Sequence, residues 1–238
     1  MPWGAPHVLA MNTYTAGFRL VVNSTPLARF IQEQAGIEVS DQAVFGPQVD
    51  VAPIHEAARR WSPGDPHRPR VLFYARPSKP RNLFSLGVDA LRLWAGQLPD
   101  GVRPVVTFAG EDLPALDVGD RLEVIRAGKT DLTGYYDLLA STDVGLALMY
   151  SPHPSHLALE LPMAGIPTVT NEFSTARVPW VPGLSVSAPT PNGLAAALGE
   201  AWSAASGLSR HRTEPPPSLG GSLGDAVDFT LDAIWGRA

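Results

Sequence analysis

The chain of 238 residues contains no cysteine. That absence removes disulfides, thiol nucleophiles and Cys-ligated zinc together. No apolar run approaches the ~20 residues that a bilayer span requires, so no transmembrane helix is expected. Charge is scarce: charged residues make up 17% of the chain against 45% hydrophobic, a balance that fits a packed core and not a disordered polymer. Basic residues are the minority, 18 Lys and Arg against 23 Asp and Glu, for a net charge of −5. This excludes nucleic acid as an expected partner while permitting a local basic pocket. The opening MPWGAPHVLAMN lacks the basic start and apolar stretch of a secretory signal, so a cytoplasmic location is expected.

Proline, at 24 residues, is plentiful and clusters in two apparent breaks. Residues 51–70 (VAPIHEAARRWSPGDPHRPR) carry four prolines and mixed charges, and read as a linker without regular periodicity. Residues 206–221 (SGLSRHRTEPPPSLGG) read as a loop. Between them short apolar runs alternate with amphipathic stretches. VLFY at 71–74 reads as a strand buried on both faces, and residues 105–108, 122–125, VGLALM at 144–149, TVT at 168–170 and residues 184–186 read as further strands. Leu83, Leu86, Gly87, Ala90, Leu91 and Trp94 form one helical stripe, Leu132, Tyr135, Tyr136 and Leu139 a second. Leu194, Ala197, Leu198, Ala201 and Trp202 form a third, with Asn192 as its expected N-cap. Such alternation predicts an α/β fold, an open parallel Rossmann-like sheet covered by crossover helices. The first fifty residues supply one β–α unit: a strand over 19–23, then a helix with Thr25 as cap and Pro26 at its first position. A single unit cannot bury its own apolar face, so residues such as Leu20, Val22, Leu27, Phe30 and Ile31 are expected to dock loosely, to stay poorly ordered or to meet a partner chain.

In open α/β sheets ligands gather at the carboxyl ends of strands. Two loops there carry chemistry. ARPSKPRN at 75–82 places Arg76, Lys79 and Arg81 just before a helix, cations suited to a diphosphate, since guanidinium forks match phosphate oxygens. The alternative is a solvated basic loop. SPHPSHLALELPMAG at 151–165 has a rigid turn with Pro154, and Ser155 as cap of a helix whose free N–H groups would face the crevice. His153 and His156 lie three apart with only Glu160 nearby, a thin ligand set, so no metal is expected; a surface position is the plain alternative for His156. Glu160 stands in an otherwise apolar helix and needs a partner, either a ribose hydroxyl pair or a structural bond to backbone. Gly128-Lys129-Thr130 fails as a phosphate loop because Glu123 stands where its first glycine belongs. No G-x-G-x-x-G follows a strand, and no G-x-S-x-G occurs, which leaves P-loop NTPases, standard dinucleotide dehydrogenases and α/β-hydrolases without support.

FYARPSKPRNLFSLGVDALRLW at 73–94 and DVGLALMYSPHPSHLALELPMAGIPTVTN at 143–171 resemble the C-terminal, donor-binding half of GT-B glycosyltransferases of the retaining family 4 type. More narrowly they resemble the rhamnosyltransferases that build bacterial surface glycans from dTDP-rhamnose. Residues 2–31 look like the last loop, strand and helix of that family's N-terminal domain. The resemblance implies a division into 1–50 (remnant of an acceptor domain), 51–70 (linker) and 71–238 (donor domain). It implies Arg76 and Arg81 on the donor diphosphate with Lys79 assisting, Glu160 on the ribose, and the backbone near Pro154, Ser155 and Leu157 facing diphosphate and sugar. Many family members carry a second glutamate where this chain has Pro152, so His153 or backbone is expected to contact the sugar instead. Arg76, Arg81 and His153 are thus the expected catalytic set, with no cofactor and no metal. A nucleotide-sugar donor, most simply a dTDP-sugar, is the expected substrate and a glycan the acceptor, at a site in the cytoplasm or on the inner membrane face. Most of an acceptor domain is missing, so turnover is expected only with a partner chain that supplies it. A non-catalytic nucleotide-sugar-binding module and a sugar-nucleotide epimerase are the competing expectations.

Overall fold

The computed structural model describes residues 12–14, 16–113, 116–153, 155–173, 180–205, 210, 212–215 and 219–236. Its centre is a sheet of six parallel strands: β3 (Arg70–Tyr74), β4 (Val105–Ala109), β5 (Glu123–Gly128), β6 (Val144–Leu146), β7 (Thr168–Asn171) and β8 (Leu184–Ser187). They lie in the order β5-β4-β3-β6-β7-β8. Val71, Leu72, Phe73, Val106, Phe108, Val144 and Leu146 are almost wholly buried, as strands covered on both faces must be. The α/β expectation is met, and all six anticipated strands are present. β6 is the shortened one. Its run continues beyond the strand through buried Ala147 and Leu148 to half-buried Met149, with Ala147 N–H bonded to Val169 O at 3.0 Å.

Two layers of helices cover the sheet. On one face α3 (Phe84–Gln97) packs on α6 (Pro191–Ala205), where Trp94 and Trp202 meet edge-on at 6.3 Å. Gly87 lets α3 approach β3: a Cβ there would stand 2.2 Å from the Phe73 ring. α2 (Val51–Arg60), α4 (Leu132–Ala140) and α5 (His156–Met163) cover the other face.

Helix α2 overturns one reading of the sequence. Residues 51–60 are regular helix, and Ile54, Ala57 and Ala58 are buried in the core. Pro53 sits in the first turn, where no intrahelical N–H is required, and the other three prolines lie beyond the helix end. The helix caps also differ. Thr190, not Asn192, caps α6, its Oγ1 accepting from Gly193 N–H at 3.1 Å. At α1 (Thr25–Ala35) the N-cap position falls on Ser24, with Pro26 one place further into the helix, and no side chain closes the cap.

The N-terminal unit is larger than the single β–α pair expected. β1 (Val22–Asn23) pairs in parallel with β2 (Val44–Phe45), and Val22, Ala28, Ile31 and Val44 form a small core of their own. The far end of the chain closes it. Gly46 N–H donates to Gly221 O at 2.9 Å and Gly221 N–H to Val44 O at 3.1 Å. α7 (Leu223–Trp235), capped by Ser222 Oγ on Asp225 N–H at 3.1 Å, then packs on β2 and the preceding turn Asp41–Ala43. No helix among the described residues is long and apolar enough to cross a membrane.

Candidate functional site

β3 and β6 are neighbours, and the helices that follow them pass to opposite faces of the sheet. Their carboxyl ends therefore diverge and leave a crevice, the place where doubly wound sheets bind ligands. A cleft of about 290 Å³ lies there. The loops after these two strands build it.

The first loop leaves β3 through buried Ala75, whose N–H bonds Ala109 O at 2.8 Å. Arg76 is half-buried. Its Nη1 donates to Tyr74 Oη at 3.2 Å, and its Nε, screened from solvent, has no acceptor among the described residues. Room for this comes from Gly110, at φ 118°: a Cβ there would stand 2.7 Å from the Tyr74 ring and 3.1 Å from Arg76 Cγ. Ser78 is anchored to Glu111, its N–H and Oγ donating to the same Oε2 at 3.3 and 2.9 Å. A single 3₁₀ turn, Pro80–Asn82, then presents Arg81 outward while burying Asn82.

The second loop is tied to the first and to the sheet. Tyr150 N–H donates to Arg81 O at 2.6 Å. Asn171 grips Met149 at both ends, accepting from its N–H at 2.8 Å and donating to its carbonyl at 3.2 Å. His153, half-buried, donates its N–H to Ser151 Oγ at 3.2 Å. Ser155 takes the N-cap position of α5, as its sequence suggests, yet its side chain makes no capping bond. Ser155 thus leaves the first-turn amides of α5 uncapped by its own side chain at the cleft wall, a partial positive charge beside the arginines.

The structure brings together most of the residues singled out from sequence. Arg76, Arg81, His153, Ser155 and His156 line one cleft. Lys79 is exposed and is not part of the lining. Pro154 lies outside the described residues. Glu160 stands one turn into α5 with its side chain 16% exposed. It has two partners: Tyr135 Oη donates to its Oε2 at 2.5 Å, and His156 Nδ1 stands 3.4 Å from its Oε1. The bond to Glu160 raises the His156 pKa above its ordinary value against the opposing effect of burial. Burial, reinforced by Glu160, holds the Tyr135 phenol protonated well past its usual range. Among the described residues no group of three or more His, Asp or Glu side chains is placed to hold a metal ion.

Sequence reasoning did not single out Tyr74, Asn82, Met149, Asn171 or Tyr135 for the site. Asn82 had a local signal: a polar residue between a basic loop and an apolar helix. The partnership of Tyr135 with Glu160 spans two helices and leaves no local trace.

Residues 69–199 match the family described as the WsaF C-terminal domain. The O-antigen biosynthesis protein RfbC of Myxococcus xanthus is 33% identical over 208 residues, covering 84% of this chain and 15% of that protein. The chain thus spans about one seventh of that relative's length. Among solved structures, sucrose-phosphate synthase from Thermosynechococcus elongatus superposes with a TM-score of 0.63 at 16% identity, over 97% of this chain and 63% of that one. Anabaena HepE, in complex with UDP and glucose, superposes with a TM-score of 0.51 at 14% identity, over 98% and 68%. At these identities the likeness is one of fold.

Proposed function

This chain belongs to the WsaF C-terminal domain family, and on that premise we propose that it is the donor-binding half of a GT-B glycosyltransferase of surface-glycan assembly. The observation that carries the proposal is Arg76. A buried guanidinium nitrogen without an acceptor among the described residues, at the crossover point of a doubly wound sheet and beside a helix start that Ser155 does not cap with its side chain, calls for an anion with several oxygens. A nucleoside diphosphate meets that need. Arg76 and Arg81 grip it, and in transfer they stabilise the departing β-phosphate with positive charge that is already in place. The amides of residues 155–157 face the same group, Lys79 assists from the rim, and Glu160 accepts from the sugar hydroxyl of the nucleoside on Oε1, the oxygen shared with His156. His153 stands on the sugar side. The reading extends to retention of configuration without a metal and to dTDP-rhamnose as donor. The acceptor glycan and its positioning come from a domain or partner chain beyond the described residues. The fold shared with HepE, solved with UDP and glucose, and the name of the Myxococcus relative support the same direction.

The test is calorimetric titration of the purified chain with dTDP, UDP and GDP, and with the matching nucleosides. Arg76→Glu and Arg81→Glu should each weaken diphosphate binding about tenfold to a hundredfold, since a charge-assisted bond contributes about 1.5–3 kcal/mol. Nucleoside binding should hardly change. Equal losses for nucleoside and diphosphate would overturn the phosphate assignment.

A further inference from the structure

Asn82 is the most deeply buried polar side chain in the cleft wall, at 1% exposure. Its backbone N–H is bonded to Lys79 O at 2.9 Å. Its side-chain Nδ2 faces Met149 Sδ at 3.9 Å. A thioether accepts and has no hydrogen to give, so the amide nitrogen is correctly turned toward it and the oxygen faces elsewhere. That oxygen, Oδ1, is buried and has no donor among the described residues. The position is enforced by the backbone. Asn82 ends the Pro80–Asn82 turn, and the next residue, Leu83, adopts φ 49°, ψ 42°, a left-handed conformation that a side chain with a Cβ takes at a cost.

The cleft therefore holds two unmet groups of opposite character. Among the described residues Arg76 Nε is a donor without an acceptor, and Asn82 Oδ1 an acceptor without a donor. Phosphate oxygens satisfy the first. They cannot satisfy the second, because a diphosphate ester at neutral pH presents no hydrogen. Asn82 requires a donor, and apart from an N–H of the base the donors of a nucleotide sugar are hydroxyls. Ribose hydroxyls fall to Glu160 on α5, whereas Asn82 adjoins Arg81 in the phosphate grip itself, so the hydroxyl nearest to it is one beyond the diphosphate. Met149 is the neighbour that can yield: its backbone is held by Asn171 from both sides, and its unbranched side chain can swing.

We propose that Asn82 is a specificity residue that accepts a hydrogen bond from a hydroxyl of the transferred sugar. The inference rests on the nucleotide-sugar reading of the cleft and assigns within it the contact that separates a nucleotide sugar from the bare nucleotide.

The experiment compares dTDP with dTDP-rhamnose, and UDP with UDP-glucose, by calorimetry on the wild-type chain and on Asn82→Leu. Thermal melting monitors the fold. Leucine keeps the number of side-chain heavy atoms, adds bulk that the flexible Met149 side chain can accommodate, and removes an acceptor without a partner among the described residues, so the variant should melt near the wild-type temperature. Affinity for the bare nucleotide should stay within threefold, while affinity for the nucleotide sugar that the wild type binds falls about tenfold to a hundredfold. Should the leucine variant fail to fold, Asn82→Ala carries the same comparison. Equal losses for nucleotide and nucleotide sugar would place Asn82 under the phosphates or the ribose and overturn the assignment. Unchanged affinities for both would overturn it as well. A wild-type chain that binds neither dTDP, UDP nor their sugars would overturn the nucleotide-sugar reading itself, and this inference with it.

Discussion

Replacing Asp143 by alanine should be the most damaging single change at the end of the sheet opposite the cleft. Asp143 stands just before β6 with its side chain 12% exposed. It accepts four bonds: Arg70 Nη2 at 2.6 Å, Arg70 Nε at 2.9 Å, Arg70 backbone N–H at 3.0 Å and Trp61 Nε1 at 3.0 Å. Arg210 stacks over the Trp61 ring at 4.2 Å and donates to the carbonyls of Leu139 and Thr142, so the same carboxylate organises a third element. Burial pushes the Asp143 pKa up, but the bonds from Arg70 and Trp61 outweigh it and hold the carboxyl below its ordinary value. Removing one partner of a fully buried pair costs about 3–5 kcal/mol. The Arg70 side chain is 29% exposed, so water recovers part of that, and about 3 kcal/mol remains. For a chain of this length each kcal/mol moves Tm by about 2–4 °C, and Asp143→Ala should melt about 6–12 °C below wild type by circular dichroism. Asp143→Asn, which keeps one acceptor, should lose about half as much. Because the folded pKa is depressed, this stabilisation is complete above the unfolded value near 4 and vanishes as pH falls through the folded one. The wild-type advantage over Asp143→Asn should therefore close in acid. Affinity for dTDP should stay within twofold, the cleft being at the other end of the strands. A Tm loss under 2 °C for Asp143→Ala would refute the reasoning.

Two further changes test the fold and the site. Gly87→Ala drives a methyl into the Phe73 ring, which is packed edge-on against Phe108 at 5.5 Å and stacked on Phe84 at 6.1 Å. It should cost about 1–3 kcal/mol in urea unfolding, and a neutral result would mean that α3 shifts freely on β3. The His156 pKa is raised by Glu160, so the pair stabilises the chain fully below about 6.5 and loses that effect as pH rises through the folded value. The Tm difference between wild type and His156→Gln should favour wild type at pH 6 and disappear at pH 8.5; an equal difference at both would show that the pair is not operating.

The central strands β3 and β6 were legible because each is a short apolar run buried on both faces, the pattern of a parallel sheet covered on two sides; the edge strand β5 is half-exposed, with Ile125 47% exposed. The crevice followed from that reading, since the basic loop and the turn around His153 come after strands that prove to be adjacent. Helix α2 was obscured by Pro53, a residue that interrupts a helix interior but fits a first turn. β2 has only two residues, too few to stand out, and it becomes a strand by pairing with β1 and with Gly221. Glu160 shows where local reasoning stops. That a carboxylate in an apolar helix needs a partner was readable. That Tyr135 supplies one required the fold to place α4 and α5 side by side on α2.

The pairing of β2 with Gly221, and the seating of α7 on the turn before β2, set a schedule for synthesis. Val22, Ile31 and Val44 share a core, but the edge of their small sheet is completed only by residues from the far end of the chain. While the ribosome makes the six-stranded domain between them, the two-stranded unit waits with an open strand edge and unmet backbone groups, the state in which nascent chains aggregate or recruit chaperones. Contacts so distant in sequence also form slowly. A stop that removes residues 219–236 would thus strand residues 22–45 as an unfinished edge, and would also take from the large sheet's second core the buried Leu219.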